Sequence, residues 1–179
     1  MVVAAGQILS AARFNAQFAA FQAQIDLKGT GFFKAKSVDT TRASTTTYAD
    51  DPHLTFQGVA NTTYDILVRG IYQAPVTPQI KFQFVFPSGT WTGGDWDYDP
   101  GTDEWAANPA TGSTSQSSPA LLVAGLAGHA TSNFPFRFHG RLALGSSGGT
   151  CALQWAQNVS NASATIVRAG SWLIAMQVN

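Results

Sequence analysis

The sequence predicts a mainly β protein: an antiparallel β-sandwich of jelly-roll-like type, preceded by one short N-terminal helix. Three observations predict it. Beyond residue 31, apolar residues recur at every second position in one segment after another. About ten such segments follow at intervals of roughly 8–15 residues, broken by Gly, Pro, Asn and Asp, the pattern of sandwiches and jelly rolls. A helical spacing occurs once, over residues 4–28. The expected organisation is an N-terminal helical anchor or oligomerisation segment, 1–30, and a β-sandwich domain, 31–179.

In the N-terminal segment Phe14, Phe18, Phe21 and Ile25 fall in a 4-3-4 spacing, the rhythm of a helix that packs against other helices. Gly29 supplies the left-handed position that ends such a helix. A helix of this length is marginal alone in water, so its apolar stripe implies a partner. Sister subunits, the segment's own β domain and a groove on another protein are the three candidates.

From Phe32 the period changes to 2. Strands are expected over 32–38, 42–48, 53–59 and 63–73, with Ala49-Asp50-Asp51-Pro52 as a turn. Residues 79–86 alternate most cleanly, with Ile80, Phe82, Phe84 and Phe86 on one face. Residues 90–98 are aromatic and broken by Gly, and 99–118 read as an exposed loop rich in Pro, Gly, Ser and Thr. Strands follow over 120–126, 134–144, 150–159, 164–168 and 172–178. In 134–144, Phe134, Phe136 and Phe138 should face in and Arg137, His139 and Arg141 out.

Composition narrows the function classes. The chain has 179 residues, with ten basic and ten acidic side chains, and only 11% of its residues are charged. No basic footprint for nucleic acid exists. No apolar run approaches the roughly 20 residues that span a bilayer, and Met1-Val2-Val3-Ala4-Ala5 lacks the features of a signal peptide. Cys151 is the single cysteine, which rules out an internal disulfide and reads as a small buried hydrophobe.

Two constellations could carry chemistry. Asp95, Asp97, Asp99, Asp103 and Glu104 concentrate half of the acidic residues. Alternating carboxylates suit a hard cation, but Pro100 stands where a calcium loop needs Gly, and a solvated acidic loop is the preferred reading. Trp91, Trp96, Tyr98 and Trp105 surround those carboxylates. Aromatics beside acids can stack on a sugar; packing of loop on sheet is the competing explanation. His53, His129 and His139 lack metal-ligand spacing, and no nucleophile elbow, phosphate loop or dinucleotide fingerprint is present. No catalytic residue, metal or cofactor is therefore expected. A polysaccharide hydrolase using the acidic loop is a remote alternative, since no base, nucleophile and orienting partner can be named together.

Two segments resemble a known family. Gly6-Gln7-Ile8-Leu9-Ser10-Ala11-Ala12-Arg13-Phe14-Asn15 resembles an opening found on many bacteriophage virion proteins. Residues 36–89 resemble the β module of phage minor structural proteins, common in phages of actinobacteria. The matching residues are Ser44-Thr45-Thr46-Thr47, Asp50-Asp51-Pro52-His53-Leu54-Thr55-Phe56, Val59-Ala60-Asn61-Thr62-Thr63-Tyr64 and the run from Ile80 to Gly89. The resemblance implies a non-enzymatic virion component, capsid fibre, decoration or minor tail protein, usually a homotrimer. The N-terminal segment would bind capsid or tail proteins and the β module would face outward. A host-receptor or carbohydrate-binding module, with a cell-surface glycan as partner, is the alternative; neither nucleic acid nor membrane is an expected partner.

Overall fold

The computed structural model describes residues 31–98, 106–109, 116–118, 120–126, 128 and 132–178. Among these the chain is mainly β, with twelve strands in two antiparallel sheets and no helix. The helix expected over 4–28, with Phe14, Phe18, Phe21 and Ile25, lies outside the described residues.

The strands are β1 (Gly31–Ala35), β2 (Thr40–Arg42), β3 (Ala49–Gly58), β4 (Thr63–Gln73), β5 (Ile80–Val85), β6 (Gly89–Tyr98), β7 (Ala106–Pro109), β8 (Ala120–Leu126), β9 (Phe134–Leu144), β10 (Gly149–Gln157), β11 (Thr165–Val167) and β12 (Trp172–Val178). β4, β8, β9 and β12 have the limits expected from sequence. Three expectations are corrected. Residues 42–48 do not form a strand: Arg42 is the last residue of β2, and the chain from 43 to 48 pairs in neither sheet. Ala49-Asp50-Asp51-Pro52 is the start of a strand and not a turn: Ala49 and Asp50 pair with Trp155 and Gln154 of β10. The turn chemistry survives locally, because the Asp51 carboxylate accepts the His53 N–H at 3.0 Å. The loop expected over 99–118 contains β7, which pairs with β6.

The larger sheet runs β1-β12-β4-β9-β6-β7, with β11 beside β4 and β2 beside β11. The smaller runs β3-β10-β5-β8. The pairing is nested. The first strand pairs with the twelfth, the second with the eleventh, the third with the tenth, the fourth with the ninth, the fifth with the eighth and the sixth with the seventh. From the third rung inward, successive rungs alternate between the sheets. Cross-pairs of β4 with β12, β5 with β10 and β6 with β9 join the rungs within each sheet.

Period-2 alternation then sends one side of the long strands into a common core. From the larger sheet come Tyr64, Ile66, Val68, Tyr72, Phe136, Phe138, Leu142, Leu173 and Ala175; from the smaller come Leu54, Phe56, Ile80, Phe82, Phe84, Leu153 and Trp155. Rings meet across the two sheets. Phe82 lies 4.7 Å from Phe136 and 5.3 Å from Phe138, Phe56 lies 5.4 Å from Tyr64, and Phe84 lies 5.1 Å from Trp91. Tilted and edge-on contacts at these distances add to the burial that dominates the stability of such a core. The gap bounded by Phe82, Phe84, Phe138 and Leu153 has no room for a water molecule.

Candidate functional site

The aromatic and acidic segment at 91–105 is divided by the pleat of β6. Trp91 is fully buried, and its backbone pairs with Leu142 of β9 and with Gln116. It packs on Phe84 and so does not belong to a solvent-facing sugar patch. Trp96 pairs in register with Phe138 and Tyr98 with Phe136, both of them core residues. The carboxylate positions take the other parity: Asp95 pairs with His139 and Asp97 with Arg137. Trp105 and residues 99–104 lie outside the described residues. Among the described residues no group of three or more His, Cys, Asp or Glu could hold a metal ion.

Register across the larger sheet therefore builds three rows on its outward face. One row runs Phe33, Ile174, Leu67, His139, Asp95. A second runs Ala35, Trp172, Arg69, Arg137, Asp97. The third runs Gly31, Met176, Asp65, Arg141, Thr92. The rows are graded along the sheet. The end made by β1, β12 and part of β4 is mostly apolar: Phe33, Leu67, Trp172 and Ile174 are half-buried and Met176 is 53% exposed, with exposed Arg69 in register beside Trp172. Phe33 and Trp172 are in ring contact at 6.3 Å. The end made by β9 and β6 is charged.

The charged end is matched within the sheet. Arg141 donates to Asp65 from Nε at 2.8 Å and from a terminal guanidinium nitrogen at 3.2 Å. This two-point contact suits a planar carboxylate. The Arg141 hydrogen bonds hold the Asp65 carboxyl below its ordinary range, against a smaller opposing push from burial. His139 and Arg137, expected on the polar face of β9, are exposed there.

The outward face of the smaller sheet is polar. Gln57 of β3 donates to Thr150 of β10 at 2.9 Å, Gln83 of β5 donates to Gln154 of β10, and Lys81 of β5 lies over the Tyr48 ring at 4.5 Å. The two sheets thus present surfaces of different kinds, although both faces come from alternating strands.

A second polar cluster lies at one end of the core. Lys36 follows β1 and is tied by its backbone to Ser171 and Gly170. Its amine donates to both oxygens of Asp51, at 2.8 and 3.0 Å, and to Thr40 Oγ1. Trp155 Nε1 donates to the same carboxylate at 3.1 Å. With the His53 N–H, Asp51 accepts from three residues. The cluster is closed on itself and joins the two sheets. Arg42 caps it, stacking 4.1 Å over the Trp155 ring and donating to the carbonyls of Ala49, Asp50 and Trp155. Sequence reading missed this cluster, since nothing in the spacing of Lys36, Asp51 and Trp155 announces a contact. His53 Nδ1 is buried without a hydrogen-bond partner, 3.9 Å from Asp51 Oδ1.

No protein-family model matches the chain, and no curated protein does.

Proposed function

We infer that this chain is a non-enzymatic structural protein of a bacteriophage virion. It is a homotrimer that attaches to capsid or tail through residues 1–30 and presents an outward jelly-roll β-sandwich. The observation that carries the reading is the nested pairing of all twelve strands, a long hairpin rolled into two sheets. Jelly rolls are the architecture of many viral capsid and lectin domains. The resemblance of Gly6 to Asn15 and of residues 36–89 to phage virion proteins supports the same reading from sequence. A closed, ring-packed core and a saturated buried ion pair suit a static particle component.

The sugar-binding alternative loses the support of Trp91, which lies in the core, and gains none from the register of Trp96 and Tyr98. The virion reading needs no chemistry from them.

The test is the mass of the full chain in solution. The protomer is 18.9 kDa, and light scattering should give three times that mass. Phe18→Asp should return it to the protomer mass and abolish incorporation into particles, with the β spectrum unchanged. A variant that is still trimeric and still on the particle would sink the anchor role.

A further inference from the structure

We propose that Lys36 and Asp51 condense to an intramolecular isopeptide bond, a covalent staple between the two sheets, and that His53 carries a proton in its formation. The proposal uses described residues alone and stands whether or not the chain belongs to a virion.

Both reacting groups are held in place. Among the described side chains Lys36 is the buried lysine and Asp51 the buried aspartate, and neither has exposed side-chain surface. The Lys36 backbone is fixed on both sides: its N–H donates to the Ser171 carbonyl at 2.7 Å, and its carbonyl accepts from the Gly170 N–H at 2.9 Å. Its amine is steadied by Thr40 Oγ1. Asp51 is fixed in β3 beside Asp50, which pairs with Gln154 of β10, and its carboxylate accepts the His53 N–H. The Lys36 amine stands 2.8 and 3.0 Å from the two carboxylate oxygens, which sets it against the carbon that joins them. Groups held in this way react as if at very high concentration, because folding has already met the entropy of their encounter.

Burial favours the product. An ion pair taken out of water carries a desolvation cost that a neutral amide does not, and the water released goes to solvent. One ammonium proton passes to Asp51 Oδ1, leaving a neutral amine. Its lone pair attacks Cγ, the Nζ–Cγ bond forms, and the carbonyl electrons move onto Oδ2, where Trp155 Nε1 donates at 3.1 Å. A second amine proton reaches Oδ1, the Cγ–Oδ1 bond breaks, and one water leaves. Oδ2 remains as the amide carbonyl on Trp155, and one proton remains on Nζ. No oxidant or reductant is needed.

His53 supplies the second transfer. Its Nδ1 is buried without a hydrogen-bond partner, 3.9 Å from Oδ1, the oxygen that leaves. With the ring proton on Nε2, this nitrogen and Oδ1 are two acceptors that face each other with no proton between them. A static ion pair has no use for that nitrogen, since Lys36, Trp155 Nε1 and the His53 N–H already supply the carboxylate. A proton taken up there from Nζ and passed to Oδ1 satisfies both acceptors. The His53 side chain is 27% exposed, so the expelled water has a way out beside it.

Mass analysis of the full chain tests the bond. Arg42 lies between the two residues, so trypsin puts Lys36 and Asp51 on different peptides unless they are joined. The expected result is an intact mass one water below that of the sequence, and a branched tryptic peptide whose fragments place the link at Lys36 and Asp51. Lys36→Arg, which keeps a cation beside Asp51 without a primary amine, should show the full sequence mass, as should Asp51→Ala. His53→Gln should keep the β spectrum and show a several-fold smaller linked fraction at a fixed time after synthesis. A folded wild-type chain at full sequence mass after prolonged incubation, with Lys36 and Asp51 on separate peptides, would overturn the proposal whatever the variants do. A His53→Gln chain linked as fast as the wild type would overturn the proton transfer by His53.

Discussion

Lys36 Nζ lies 2.8 Å from Asp51 Oδ2, and neither side chain has any exposed surface. The pair bridges the two sheets, because Lys36 follows the edge strand of one and Asp51 belongs to the edge strand of the other. Burial of two charges costs more than their attraction returns unless the remaining hydrogen-bonding capacity is filled. Here Trp155 Nε1, the His53 N–H and Thr40 Oγ1 fill it.

Breaking this pair from one side leaves a charge uncompensated. Lys36→Met should destabilise the protein by about 3–5 kcal/mol. Asp51→Ala should cost at least as much, since three residues lose their acceptor. Urea unfolding of the two variants and of the double variant measures both effects and their coupling. Additive single costs would show that the pair does not act as a unit.

Cys151 is buried in β10, and burial pushes its thiol up to about 11 from an ordinary 9.0. The thiolate is the reactive form, so the folded protein should react with thiol reagents at pH 8 far more slowly than the unfolded chain. The folded state holds the proton more tightly than the unfolded state. Stability from this group is therefore present below pH 9 and falls as pH rises from about 9 to 11. Cys151→Ala should flatten that alkaline decline in a series of unfolding curves.

Gly140 of β9 lies under the Trp91 ring, and a Cβ there would stand 2.3–2.6 Å from three ring atoms. Gly140→Ala should cost about 1–3 kcal/mol by overpacking. Trp91→Ala should cost about 3–5 kcal/mol by leaving a cavity. Trp91→Phe should cost much less, because Trp91 Nε1 is buried with no hydrogen-bond partner to lose. Thermal unfolding of the three variants gives the order. A Trp91→Ala protein with an unchanged midpoint would contradict the placement of this ring in the core.

Much of the fold was legible in the sequence, and unevenly so. Residues 63–73 and 134–144 were delimited correctly because their alternation is long and bounded by turns. They are also paired with each other along almost their whole length, so nothing tertiary competes with their local preference. Residues 49–52 were misread, because Asp-Asp-Pro is a turn signal wherever it occurs. Pairing with β10 and the contacts of Asp51 with Lys36 and Trp155 overrode it. β7 escaped notice because four residues in a Gly- and Pro-rich segment give no periodicity, and among the described residues its sheet partner is β6 alone.

The candidate site was less legible for the same physical reason. Trp91, Trp96 and Tyr98 looked like one patch with Asp95 and Asp97, because closeness along the chain is all that sequence shows. The register of β6 against β9 separates them, and a shift between Thr92 and Asp95 sets which parity each receives.

The sequence by itself determined the long alternating strands, such as 63–73 and 134–144, because the period of a strand is a property of the chain alone. It also determined that no charge excess would direct the protein to nucleic acid. Only the tertiary structure decided that the strands nest from first with last to sixth with seventh, that Lys36 meets Asp51, and that the larger sheet carries the apolar outward face. Those outcomes depend on contacts between residues far apart in sequence. Such contacts form only where two sheets can bury their aromatic faces against each other, and no local pattern encodes which strands those will be.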